Sequence, residues 1–178
     1  MRKQLLFLAS LALVVAGVTR AQEDKSKRPS PPAAAEHKFA DGKTVKIDYS
    51  SPRMKGRKIF GGLVPYGKVW RTGANEATSL VTTAGLTIGG KAVPAGSYTL
   101  FTIPGEKSWT LIISKKTGEW GTEYPGEAED LARVEMAAAP TKAPVENFTI
   151  SFQDGGGKNC TLRMEWDGVQ AAVGIAEQ

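Results

Sequence analysis

Four side chains within seven residues, Trp70, Arg71, Asn75 and Glu76, form the densest set of recognition chemistry in this sequence. An indole offers a stacking platform, a guanidinium a planar fork of donors, an amide both donor and acceptor, and a carboxylate paired acceptors. Thr72-Gly73-Ala74 between them reads as a loop, and binding groups often sit on loops held by a rigid scaffold. Such a set can grip a sugar or peptide by stacking and bidentate hydrogen bonding, so these four are the expected ligand-binding residues. The plainer reading, which the residue types favour, packs Trp70 in the core and pairs Arg71 with Glu76 to tie the loop down.

Other chemistry finds few residues to carry it. The chain has one cysteine and one histidine, His37, so zinc, haem, Ser-His-Asp and Cys-His arrangements lack their ligands or their base. No disulfide can form within it, and no metal or cofactor is expected. Cys160 falls in register with Leu162, Met164 and Trp166, which predicts a small buried core residue rather than a nucleophile. Gly62 to Lys68 has the glycine and lysine spacing of a phosphate-binding loop, but Val69 stands where magnesium requires a hydroxyl. A glycine-rich connection is the better reading. Asp154-Gly155-Gly156-Gly157 offers one carboxylate where calcium wants several oxygens, and reads as a hairpin loop. A metal-independent hydrolase remains open, with Glu76 and either Asp48 or Glu123 as the carboxylate pair such chemistry uses.

The N-terminus bears on compartment. Arg2 and Lys3 precede an apolar run from Leu5 to Val18, and Thr19-Arg20-Ala21 follows as a cleavage site. That run would span about 21 Å as a helix, short of the roughly 30 Å hydrocarbon core. Residues 1–21 are therefore expected to be a cleaved signal peptide, leaving no transmembrane segment and a secreted or periplasmic protein. The formal charge of +5 comes from 23 basic and 18 acidic residues. Losing Arg2, Lys3 and Arg20 reduces it to +2, which removes the case for nucleic acid.

The elements that must position the loop are strands. Residues 22–40 are rich in proline, alanine and charge without apolar periodicity, and are expected to form a flexible tether. From 41 to 178 the chain reads as one domain. Val45, Ile47 and Tyr49 alternate with polar neighbours, as do Phe148, Ile150 and Phe152, and then Cys160 to Trp166. Further runs cover 78–83, 98–103, 109–114 and, after a turn at Asp167-Gly168, 169–175. The segment 127–139 fits helix or strand; a helical turn near 126–131 followed by a strand, stopped by Pro140, is favoured. The pattern predicts an all-β fold, an antiparallel sandwich or barrel-like domain of about nine strands with at most one or two helical turns.

The stretch Lys55 to Ala77 (KGRKIFGGLVPYGKVWRTGANEA), with Ile88 to Lys91 and Pro94 to Gly105, resembles the secreted bacterial family catalogued as domain of unknown function 2911. The resemblance covers roughly residues 45–175. It implies an exported bacterial protein and brings no activity, cofactor or site residue with it. The expectation is a non-catalytic module that binds an unidentified ligand or cell-envelope partner. A structural or oligomerisation module is the first alternative and the paired-carboxylate hydrolase the second.

Overall fold

The computed structural model describes residues 24–121 and 123–178. The signal peptide expected at 1–21 lies outside them. Nine antiparallel strands make one sheet: β1 (Pro32–Lys38), β2 (Thr44–Ser50), β3 (Thr78–Thr82), β4 (Leu86–Ile88), β5 (Lys91–Val93), β6 (Gly96–Ile103), β7 (Ser108–Ser114), β8 (Asp130–Gly156) and β9 (Asn159–Glu177). Their order across the sheet is β1-β2-β3-β6-β7-β8-β9-β4-β5, and the sheet does not close. It folds over on itself through the long β8–β9 hairpin. Beyond β2, the amide of Met54 donates to Glu146 O and that of Phe148 to Pro52 O, which joins the first half of the sheet to β8. The Tyr49 hydroxyl accepts from the Ile150 amide at 3.0 Å across the same seam.

The alternation read from the sequence is the alternation of burial. Val45, Ile47 and Tyr49 of β2 are buried, as are Cys160, Leu162, Met164 and Trp166 of β9. β6 differs: Tyr98 to Thr102 are all buried, because the segment after β7 covers the sheet's outer face. There Thr99 Oγ1 donates to Glu119 at 2.9 Å, and the Phe101 and Tyr124 rings meet edge to face at 5.3 Å.

Three sequence-based boundaries move. The segment expected as a tether contains β1, paired with β2 from Pro32↔Ser50 to Lys38↔Thr44. Its inward residues are Ala33, Ala35 and His37, small or polar, so its two-residue periodicity carries little apolar contrast. His37 therefore sits in a strand, its ring 4.8 Å from that of Phe39. Pro140 does not end a strand; it lies within β8, where the register shifts between Pro140 and Val145. Proline has no N–H to give a ladder, and an irregularity is where a strand tolerates it.

The third is Asp167-Gly168, which makes no turn. Asp167 takes φ +53° inside β9, and buried positions change from even numbers (160 to 166) to odd ones (171 to 175). An extra residue in one strand reverses which face each later side chain occupies. The ambiguous 127–139 segment resolves as favoured, into a 3-10 turn at Glu127–Glu129 followed by β8.

Candidate functional site

The connection from β2 to β3, residues 51–77, is far longer than a hairpin requires, and connections of that length are commonly functional. It lies over one end of the core and inserts Ile59, Phe60, Val64 and Trp70 into it. Isolated bridges stitch it down, Arg53 to Asn147 and Trp70 to Thr102. Five rings, Phe60, Trp70, Trp109, Phe148 and Trp166, gather there at centroid distances between 4.9 and 6.4 Å.

The tip of the connection is strained. Thr72 and Asn75 hold φ of 57° and 56°, a conformation costly for a β-branched threonine. Buried threonines hold it in place: the Thr72 and Thr102 hydroxyls lie 3.1 Å apart, and Thr78 Oγ1 donates to Thr72 O at 2.7 Å. Trp70 Nε1 donates to Gly73 O at 3.0 Å. A Cβ added at Gly73 would stand 2.9 Å from Ser50 O, so the close approach admits only glycine.

The four expected ligand-binding residues do not line one cleft. Trp70 is only 8% exposed and belongs to the core, as the plainer reading had it. That reading fails for the other half: Arg71 does not pair with Glu76. Glu76 instead accepts Lys25 Nζ at 2.8 Å and both oxygens accept Arg28 Nη1 at 3.0 and 2.9 Å. Burial pushes the Glu76 carboxyl up, but those hydrogen bonds and one from its own backbone outweigh it and hold the pKa at about 2. Asn75 Nδ2 donates to Ser30 O at 3.1 Å. Asn75 and Glu76 thus fasten the segment before β1, and Arg28 also sits 5.8 Å above the Trp120 ring.

Arg71 and Trp70 face the other way, into a cleft of about 370 Å³. Trp70 and Trp166 line it with Val64, Pro65 and Pro52, while Arg57, Lys68 and Arg71 are its charged residues. Among the described residues no carboxylate lines it. Arg71 Nε is buried and has no hydrogen-bond partner among the described residues, and burial lowers the guanidinium's pKa. Arg57, Lys68 and Trp166 were absent from the sequence-based set. The signal available for the cations was charge segregation: from Tyr49 to Asn75 the chain has six basic residues and no acidic one.

A smaller cleft of about 180 Å³ brings Asp48 and Glu76 together. Both carboxylates are engaged, Asp48 with Lys46 Nζ at 2.9 Å and Glu76 as above. Glu123 is exposed and does not line that cleft. Cys160 is buried, and burial, with Asp154 nearby, pushes its thiol up to about 11. Among the described residues no group of three or more His, Cys, Asp or Glu could hold a metal ion.

Fold and site together define a class: an antiparallel β protein whose long β2–β3 connection covers the core and bears a small cationic cleft. The chain belongs to the family described as protein of unknown function DUF2911, whose model matches residues 30–175. No curated protein and no solved structure matches the chain.

Proposed function

We propose that this chain is an exported, non-catalytic β module that binds a small ligand or cell-envelope partner at the Trp70–Arg71 cleft. One observation carries the reading: a cleft of small-molecule size, backed by indoles, is lined by Arg71, whose guanidinium is in no ion pair among the described residues. Ligand sites are typically concave and mostly apolar, with a few placed polar groups, and about 300 Å³ is their lower bound. A guanidinium at the wall of a cleft gains charge-assisted hydrogen bonds when an acceptor binds there. Export rests on the Arg2-to-Ala21 signal pattern.

The catalytic alternative draws less support, because the two carboxylates that share a cleft are already engaged by cations, Glu76 by Lys25 and Arg28 and Asp48 by Lys46. The assembly alternative would use the sheet edges. β5 is three residues long and followed by Pro94, while β1 begins with Pro32 and carries Glu36 and Lys38 outward. Short edges bearing proline and charge discourage strand pairing.

The test is a titration with benzyl alcohol, N-acetylglucosamine and benzoate at millimolar concentration, followed by backbone amide NMR. Shifts confined to Val64, Val69, Arg71 and Gly73 are expected for at least one probe. A panel that moves none of them overturns the binding reading. For export, the mature protein should begin at Gln22, and an intact Met1 on the cytoplasmic protein overturns that part.

A further inference from the structure

The geometry points to a small organic anion, a carboxylate or phosphate on a ring or short apolar group, as the ligand of the Trp70–Arg71 cleft; this rests on the binding reading above. Three features of the cleft select that chemistry over a neutral sugar or a cation.

The first is charge. Arg57, Lys68 and Arg71 line the cleft and, among the described residues, no Asp or Glu does. This asymmetry is local, since the chain as a whole has 23 basic against 18 acidic residues. It continues into the adjoining hollow, which shares Ser30 and Arg57 and adds Arg53 and Lys55; the Glu146 carboxylate beside it accepts the Lys55 amide at 2.9 Å. A concave surface of one sign focuses its field on the space it encloses.

The second is the state of the cations. The acids nearest in sequence, Asp48 and Glu76, are taken by Lys46 and by Lys25 with Arg28. Arg57 spends its Nε and Nη2 on the carbonyls of Met54 and Arg53, at 3.0 and 2.6 Å, which fixes the guanidinium at the cleft edge. Arg71 is half-buried with its Nε unpartnered among the described residues. A planar guanidinium fork matches a carboxylate or phosphate through two parallel charge-assisted bonds.

The third is the apolar wall. Leu63 and Pro65 offer exposed apolar surface over a floor of Trp70 and Val64, and would cover the body of a ligand whose charged end meets the cations. An inorganic anion would leave that wall uncovered, and a neutral ring would leave the three cations without a counter-charge. At about 370 Å³ the cleft has room for one ring with its acidic group.

The test titrates the purified protein with phenyl phosphate, benzoate, benzyl alcohol and inorganic phosphate, reading tryptophan fluorescence and backbone amide NMR. Expected is binding of an aromatic anion about tenfold or more tighter than benzyl alcohol, weakening as salt rises. The preference between phenyl phosphate and benzoate then identifies the acidic group. Arg71→Met should weaken the anion about tenfold, and Lys68→Gln severalfold. Lys68 is exposed, so its variant reports on charge even if Arg71→Met fails to fold. Benzyl alcohol binding as tightly as the anions would overturn the anionic class while leaving the binding reading intact. Loss of all binding in wild type overturns both. Affinity for the anion unchanged in Lys68→Gln and in a folded Arg71→Met also overturns it.

Discussion

Trp70 and Trp166 stack with centroids 5.9 Å apart and planes 18° from parallel, although they lie on the β2–β3 connection and on β9 respectively. Trp70 also meets Phe148 edge to face at 4.9 Å, so one indole joins the connection to both long strands. The same pair lines the cleft. Core packing and the cleft wall therefore share a side chain.

Trp70→Ala should destabilise the fold by about 3–5 kcal/mol, the usual cost of truncating a buried aromatic. Trp70→Phe keeps an edge-to-face partner for Phe148 and should cost less, though it loses the Nε1 bond to Gly73. Urea denaturation of the two variants measures the difference. Equal midpoints for Trp70→Ala and wild type would show the stack to be unimportant to the fold.

Gly73→Ala should cost about 1–3 kcal/mol. Its Cβ would press on Ser50 O at 2.9 Å and on Thr78 Oγ1 at 3.2 Å, forcing the loop from the strained conformation that Thr72 and Thr78 hold. The Trp70 Nε1 resonance should shift with it, since Gly73 O is its acceptor. A melting temperature equal to that of wild type would contradict the packing described.

Glu76 makes the fold sensitive to acid. Its pKa is lowered from 4.5 to about 2 in the folded chain, so it favours the folded state above 4.5. That contribution fades as pH falls from about 4.5 to about 2 and the carboxylate takes up its proton. Melting temperatures of wild type and Glu76→Gln should differ at pH 6 and converge near pH 2. A gap that stays constant across that range would mean that the Lys25 and Arg28 contacts do not depend on the charge. Asp41, also held at about 2, by hydrogen bonds from Lys43, titrates in the same window in both proteins and cancels in the comparison.

Cys160 should resist alkylation in the folded protein. Burial raises its thiol to about 11, leaving little thiolate near neutral pH, and the side chain is 2% exposed. Iodoacetamide labelling at pH 8 should be slow in buffer and fast in denaturant. Rapid labelling of the native chain would place the thiol at the surface.

The amides that β1 donates to β2 should exchange slowly with deuterium, far more slowly than that of exposed Gly118, which lies in no strand. Exchange as fast as a solvated peptide throughout residues 32–38 would restore the tether reading of that segment.

How much was legible follows from the range over which each feature is determined. Two-residue alternation is a property of neighbours in the chain, so Val45-Ile47-Tyr49 and Cys160 to Trp166 declared their strands and their buried faces. The all-β class, the buried Cys160 and the loop character of Thr72-Gly73-Ala74 were available for the same reason. β1 was hidden because an edge strand with Ala33 and Ala35 facing inward offers little apolar contrast. Pro140 and Asp167-Gly168 looked like ends of strands. Only the register between β8 and β9 showed that they are irregularities within longer ones.

The sequence by itself determined that Trp70, Arg71, Asn75 and Glu76 lie close along one loop. Tertiary structure alone divided them between two sets of partners. Glu76 bonds to Lys25 and Arg28, which precede it by about fifty positions, while Arg71 turns toward a cleft completed by Trp166. Charge pairing depends on distance in space, and a loop passing over the end of a folded sheet can send adjacent side chains to opposite sides. Closeness in sequence put a cation and a carboxylate within reach of each other, and the path of the backbone over the core separated them.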